Sequence, residues 1–270
     1  MQILDGKTAR EAYTSELIKR VKVLSITPCL VIIQVGERAD SDAFIRAKKS
    51  FAQKIGAKEI HVKLAENVTQ VEVLEQVKKY NNDKTIQGII VQLPLPSHFD
   101  ADTIINCIDP DKDTDGLTPT TQYIAATARG IRDLFKFYNV KLQNKKITVV
   151  GQSKLVGKPI AEMCRKEGAV VTVCDSKTEN LAEKTKIADI LIVAIGKPCF
   201  IDEKYVSKGQ IVIDVGITRQ DGKLLGDVDF EKVKDIVDMI TPVPGGVGQM
   251  TVLALFENLI DACYNANIIK

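Results

Sequence analysis

The sequence predicts an α/β protein of two domains, and three observations predict it. The chain has 270 residues of which 45% are hydrophobic, enough for a real core and a length that suits two modest domains. Short, nearly continuous apolar runs alternate with stretches of helical periodicity, the pattern of parallel strands covered on both faces by helices. A glycine-bearing turn at 149–159, Val-Val-Gly-Gln-Ser-Lys-Leu-Val-Gly-Lys-Pro, joins one such run to a helical stretch.

Ala9, Tyr13, Leu17, Val21 and Leu24 recur at helical spacing, and 29–35 (Cys-Leu-Val-Ile-Ile-Gln-Val) is a short buried strand. Phe44, Ala47, Phe51 and Ile55 mark a second helix, with Ser41 placed to cap its N-terminus. Residues 59–64 alternate like a strand. Thr69-Gln-Val-Glu72 spells a capping box, opening a helix that runs to about Tyr80. A strand at 86–91 follows, and a helical stretch from about 121 to 138 leads to the strand at 147–150. Beyond the glycine turn the rhythm repeats, with strands at 169–174, 189–194, 210–215 and 238–241. The last helix, about 251 to 265, follows the loop Gly245-Gly246-Val-Gly248. A seam near 117–122 divides the chain into two α/β units.

Composition excludes several classes. The net charge of +2, with signs interspersed, leaves no nucleic-acid footprint, and the absence of Trp removes stacking platforms. The opening Met-Gln-Ile-Leu-Asp-Gly-Lys does not read as a secretory leader, and no apolar run reaches bilayer length. Cysteines 29, 107, 164, 174, 199 and 263 are scattered, mostly in apolar runs and without a C-x-x-C pair. They read as reduced core residues of a cytoplasmic protein. His61 and His98 have no Cys or His nearby in sequence, so no metal is expected.

Six segments place polar side chains or glycine-rich backbone where an open α/β sheet meets ligands. In the turn at 149–159 Gly151 ends a strand and Gly157 starts a helix, so backbone N–H groups at a helix N-terminus can face an anion. The glycines do not make G-x-G-x-x-G, and the same turn also suits a plain strand-helix junction. Asp175 ends the next strand 24 residues after Gly151, close to where an acid receives a ribose. Phe44 and Lys48 are four apart and share a helix face, although a lysine there equally snorkels to solvent. Gln92, in Val-Gln-Leu-Pro-Leu-Pro at 91–96, puts an amide directly after a buried strand. Asp111-Lys-Asp-Thr-Asp115-Gly116 mimics the start of a calcium loop, but position twelve is Gln122 and Pro119 interrupts it. A carboxylate recognising a polar heterocycle suits it as well. Pro242-Val-Pro-Gly-Gly-Val-Gly248 is a connector or a backbone surface lining a ligand.

In order along the chain, Asp42-Ala-Phe-Ile-Arg-Ala-Lys48, Val-Gln-Leu-Pro-Leu-Pro, Lys-Asp-Thr-Asp-Gly, Gly-x-Ser-x-x-Val-Gly-Lys-Pro, Asp214-Val-Gly-Ile217 and Thr-Pro-Val-Pro-Gly-Gly-Val-Gly resemble one family. It is the bifunctional methylenetetrahydrofolate dehydrogenase/methenyltetrahydrofolate cyclohydrolase family, and the resemblance covers essentially the whole chain. It implies a folate-binding catalytic domain of 1–121 plus 250–270, to which the last helix returns, a Rossmann-like nicotinamide-binding domain of 122–249 with a parallel sheet, a cleft between them holding both ligands, and a homodimer. The implied work is one-carbon metabolism feeding purine biosynthesis. 5,10-Methylenetetrahydrofolate is oxidised with NADP or NAD, and the methenyl product is hydrolysed to 10-formyltetrahydrofolate.

The resemblance implies roles residue by residue. Lys48 matches the catalytic lysine, Gln92 its orienting partner, and Asp115 the acid that holds the pterin. Phe44, Val91, Leu93, Pro244, Gly245 and Gly246 match the rest of the substrate surface; Gly151, Gln152, Ser153, Asp175, Ser176 and Ile217 match the cofactor surface. The chain departs from the family at several of these places. Phe44 stands where the family has Tyr, Gln152 where many members have Arg, Asp175 where His is common, and Gln249 where the last loop has Pro. The connection from Gly116 to Gly130 is shorter, with Thr127-Ala-Arg replacing a Thr-Pro start. Both changes in the nucleotide loops remove positive charge near a 2′-phosphate. Two other readings stay open at this point: a dehydrogenase without useful cyclohydrolase activity, and a folate- or nucleotide-binding paralogue without catalysis.

Overall fold

In the computed structural model, which describes residues 1–269 apart from the side chains at 39 and 40, a two-residue strand β1 (Gln2–Ile3) precedes helix α1 (Gly6–Lys22). There follow β2 (Cys29–Val35), α2 (Ala39–Ile55), β3 (Lys58–Leu64), α3 (Gln70–Asn82), β4 (Gly88–Val91) and α4 (Ala101–Asn106). After α5 (Ala126–Phe137) come β5 (Lys146–Val150), α6 (Gly157–Lys166), β6 (Val170–Cys174), α7 (Leu181–Lys186), β7 (Ile190–Val193) and β8 (Ile211–Asp214). A hairpin of β9 (Thr218–Gln220) and β10 (Lys223–Leu225), the short α8 (Phe230–Val233), β11 (Met239–Ile240) and the long α9 (Val247–Asn265) follow.

By contact these elements form two units, Ala12–Ala126 with Val252–Lys270, and Met1–Glu11 with Thr127–Thr251. The first unit is built on a three-stranded parallel sheet in the order β3-β2-β4. Strand β2 is buried along its whole length, which is why it reads as an unbroken apolar run. Its core joins Val31, Ile33, Val73, Val77, Ile89 and Ile104. On α2, Ile45, Phe51, Ala52 and Ile55 are buried, and the Phe51 and Phe256 rings lie 5.5 Å apart. Gly56 ends that helix at φ +81°, returning N–H groups to Ala52 and Gln53. The capping box of α3 is present, with the Glu72 N–H donating to Thr69 Oγ1 at 3.3 Å and the Thr69 N–H to Glu72 Oε2 at 2.7 Å.

The second unit is built on a six-stranded parallel sheet in the order β1-β11-β8-β7-β5-β6. The chain runs outward from β5 to β6 and then returns to place β7 on the other side of β5. That reversal is the topological switch point beside which such sheets bind ligands, at the carboxyl ends of the strands. Val150, Leu191, Val193, Val212, Val228 and Ile240 form its core.

Several local expectations are corrected. Helix α2 starts at Ala39 with Arg38 as its cap residue, and Ser41 is a buried residue of the first turn. Helix α5 starts only at Ala126, because the Ala126 N–H closes on the Asp115 carbonyl at 2.9 Å and holds the preceding residues in an irregular turn. Helix α9 starts inside the glycine loop, at Val247. By contact, the first eleven residues group with the six-stranded sheet, because β1 pairs with β11 at its edge. Cys29, Cys164, Cys174 and Cys263 are buried thiols, but Cys199 is exposed in a turn at φ +54°.

Candidate active site

Lys48 lies on the flank of the buried stripe of α2, one turn after the half-buried Phe44 and between Ile45 and Ala52. Its Nζ donates to Gln92 Oε1 at 2.9 Å. Gln92 is fixed in turn. It follows the buried Val91 at the end of β4, its backbone N–H extends the ladder to the Ile33 carbonyl at 2.8 Å, and its amide donates to the Leu93 carbonyl at 2.8 Å. The only oxygen of the side chain therefore faces the lysine. The Leu93–Pro94 bond that follows is cis.

Asp115 arrives from a different segment. Residues 111–116 run beside β4 as an isolated parallel bridge, Ile89 opposite Asp113, with the Ile89 N–H on the Lys112 carbonyl at 2.8 Å. Two residues further along both segments stand Val91 and Asp115, and the Asp115 charge acts on Lys48. Gly88 allows the close approach, since a Cβ there would lie 2.7 Å from Thr114 Cγ2. Both oxygens of Asp113 accept backbone N–H groups, Oδ1 that of Gly116 at 3.0 Å and Oδ2 that of Thr118 at 2.7 Å. Lys112 reaches back to the last carbonyls of α3 and its cap, Tyr80, Asn81 and Asp83, at 2.6 to 3.0 Å. Among the described residues no cluster of three His, Cys, Asp or Glu side chains is placed to hold a metal.

The residues are half-buried, but their charged ends sit deep enough for desolvation to dominate. It lowers the Lys48 pKa from its ordinary value, while the Asp115 charge opposes the fall. It raises the Asp115 pKa, opposed by Lys48 and reinforced by Asp113. Each group thus moves toward its neutral form, and the arrangement can take up a proton at Lys48 Nζ. Asn258 of α9, fully buried, donates to the carbonyls of Thr114 and Ile124 at 2.8 and 3.0 Å and clamps the segment that carries Asp115. Sequence reasoning missed it, because an asparagine in a long apolar helix carries no local signal.

The other expected residues lie in the second unit. Pro244 is exposed, Gly245 adopts φ +117° and Gly246 is buried. Gly151, at φ +116°, ends β5 so close to the neighbouring strand that a Cβ would fall on the Ala194 carbonyl. Gly157 likewise begins the ten-residue α6 directly against the Gly151 carbonyl. Gln152, Ser153 and Ser176 are exposed, and the Gln152 amide donates to the Asp175 carboxylate. Crowded glycines with polar side chains around a strand-to-helix turn at a switch point fit a dinucleotide.

Ile217, 38% exposed, leaves the sheet beside a carboxylate pair that sequence analysis left aside. Buried Asp214 accepts the N–H groups of Gly216, Asp227 and Val228 at 2.9 to 3.0 Å. Asp227, also buried, accepts those of Ile195 and Gly196 at 2.7 and 2.9 Å. Burial pushes the Asp214 pKa up to about 7, against the backbone donors and with Asp227 adding repulsion.

A lysine–glutamine pair with an acid beside it, and a separate switch-point loop that fits a dinucleotide, are features of a dinucleotide-binding α/β enzyme. Residues 4–115 match the family described as tetrahydrofolate dehydrogenase/cyclohydrolase, catalytic domain, and residues 125–267 its NAD(P)-binding domain. The chain belongs to the tetrahydrofolate dehydrogenase/cyclohydrolase family. It is 43% identical over 272 residues to the bifunctional protein FolD of Ligilactobacillus salivarius, covering 96% of this chain and 95% of that one. The crystal structure of the bifunctional FolD methylenetetrahydrofolate dehydrogenase/cyclohydrolase of Campylobacter jejuni superposes with a TM-score of 0.95 at 38% identity, covering 98% of this chain and 99% of that one. The Trypanosoma brucei enzyme, solved with NADP and an inhibitor, gives 0.93 at 31% identity and covers 98% of each chain.

Proposed function

We propose that this enzyme oxidises 5,10-methylenetetrahydrofolate with a nicotinamide dinucleotide and hydrolyses the resulting methenyl cation to 10-formyltetrahydrofolate, with Lys48 as the proton-transfer group of the second step. The observation that carries the reading is the 2.9 Å hydrogen bond from Lys48 Nζ to Gln92 Oε1 beside Asp115, with desolvation favouring the neutral amine.

The dinucleotide, when bound, accepts the hydride; the protein's part in that step is positioning. Asp115 holds the pterin through its amino and ring N–H groups, a paired acceptor task that a carboxylate performs well. Phe44, Val91 and Leu93 supply apolar surface, with Pro244, Gly245 and Gly246 along the folate. Phe44 lacks a hydroxyl, so it stacks without contributing a proton. Gly151, Gln152, Ser153, Asp175, Ser176 and Ile217 hold the dinucleotide.

In the hydrolytic step water adds to the methenyl carbon and Lys48 Nζ takes one of its protons. The carbon–N5 bond then breaks, N5 receives a proton from the lysine, and the remaining hydroxyl proton leaves to solvent, giving the N10-formyl product. The incoming substrate is a cation, so its charge further favours the neutral amine. Gln92 turns the amine toward the substrate. Keeping Lys48, Gln92 and Asp115 together favours this bifunctional reading over a dehydrogenase alone or a binding paralogue. The same reading makes the protein a cytoplasmic homodimer with reduced cysteines.

A single absorbance assay following methenyltetrahydrofolate tests the whole scheme, since the compound appears in the first step and decays in the second. Lys48→Met is expected to lower methenyl hydrolysis by at least about 100-fold, in the range of general acid–base contributions, while oxidation stays measurable. Equal loss of both activities in a folded variant reduces the lysine to a folate-positioning group.

A further inference from the structure

We infer that the Gln152–Asp175 pair makes this enzyme select NAD over NADP, with the Asp175 carboxylate receiving the adenosine ribose. The inference rests on 149–159 being the nucleotide loop. Strands β5 and β6 pair with Val150 opposite Cys174, and the Gly151 N–H continues the pairing to the Cys174 carbonyl at 2.8 Å. The residues that leave the two strands are thereby set side by side, and the Gln152 amide donates to Asp175 Oδ2. On the other side Oδ1 accepts the Lys177 N–H at 2.9 Å and the Thr178 hydroxyl at 3.1 Å. Donors on both oxygens hold the carboxylate in one orientation.

In a βαβ dinucleotide fold the end of the second strand faces the adenosine ribose. An acid there accepts the 2′-hydroxyl, whereas an arginine accommodates a 2′-phosphate. Strand β6 is that second strand, reached from β5 through α6. A carboxylate is an acceptor only, with about four lone-pair positions. The three donors leave room on Oδ2 for a ribose hydroxyl, but a phosphate oxygen can only repel. The neighbour that would have to offset this repulsion is a neutral amide already turned to the acid. Lys154 and Lys177 bring positive charge, but both are exposed on the loops, where water and salt screen it. The fixed carboxylate therefore dominates the choice.

The test is kcat/KM for NAD and NADP on the full-length enzyme, paired with calorimetric binding of each nucleotide. Asp175→Ser and Gln152→Arg/Asp175→Ser are measured alongside; Gln152 is exposed and Asp175 half-buried, and a thermal melt of each variant checks that it folds. The wild type is expected to favour NAD at least about tenfold, equivalent to about 1.4 kcal/mol. Asp175→Ser should shrink that ratio about tenfold and the double variant should reverse it. A wild type that favours NADP, or an NAD preference untouched by Asp175→Ser, overturns the inference while leaving the nucleotide loop in place. Binding of neither nucleotide sinks the loop reading and the inference with it.

Discussion

At Asp115 two demands meet in one carboxylate. It is raised by burial, yet it is the charge that keeps Lys48 from falling further. Asp115→Ala is therefore expected to raise the folate KM by tenfold or more, or to abolish both activities, by removing paired hydrogen bonds, each worth about 1.5–3 kcal/mol when a charge is involved. Nucleotide binding should survive. In Asp115→Asn the lysine loses the charge that holds its pKa up. The limb of the pH–rate profile for hydrolysis that rises as Lys48 deprotonates should then shift to lower pH. A profile unmoved by the substitution assigns that limb to another group. These residues were legible in the sequence because each sits in a compact motif. The reason they meet was not legible, since it lies in the parallel bridge between Ile89 and Asp113.

Elements hold these residues through backbone contacts. Asn258 belongs to α9, and removing its amide leaves the buried Thr114 carbonyl and the half-buried Ile124 carbonyl without that donor, at a cost of about 1–3 kcal/mol. Asn258→Ala is thus expected to lower the melting temperature and to raise the folate KM, because Thr114 immediately precedes Asp115. An unchanged KM in the destabilised variant separates the helix from the site. At the end of β8 the prediction concerns pH. Asp214 binds its proton more tightly folded than unfolded, up to about 7 against an ordinary 3.8. Below the ordinary value both states are protonated and the group is neutral in its effect. Between the two values the unfolded chain releases the proton first, so stability falls as pH rises and levels off above the folded value. The full effect is on the order of 4 kcal/mol. Melting temperatures of Asp214→Asn should lose part of the wild-type decline between about pH 5 and pH 7; an identical slope in the variant rules Asp214 out as its source. Nothing in 211–214 beyond a strand ending in an acid announced this pair, because its partner Asp227 comes after a hairpin of polar residues that periodicity does not mark.

For the whole molecule, alternation of short apolar runs with helical periods gave the α/β class and most strands to within a residue or two. It did not give β1, whose two exposed residues pair with β11 at a sheet edge, nor the β9–β10 hairpin, which buries little. Short strands at edges leave no periodic signal. Neither unit is a single stretch of sequence: the chain passes between them after Glu11, Ala126 and Thr251, and the first and last of these points fall inside α1 and α9. A fragment of residues 12–126 therefore lacks Phe256, Asn258 and Leu259, all fully buried in the whole chain. Expressed alone it should show no cooperative melt, and supplying 252–270 in trans should restore one. A cooperative transition in the isolated fragment contradicts the dependence on α9.

This interleaving has a consequence for how the protein comes into being on the ribosome. The Leu4 N–H awaits the Ile240 carbonyl, and the Thr114 carbonyl awaits an amide 144 residues downstream. At translation rates of roughly 5–20 residues per second the nascent chain carries Lys48, Gln92 and Asp115 outside the exit tunnel for many seconds before α9 is made. The unit that includes 252–270 cannot close before α9 has been made. Lys48, Gln92 and Asp115 are thus held in their final packing only once α9 is made, whereas the loop at 149–159 draws its core from residues upstream of that helix.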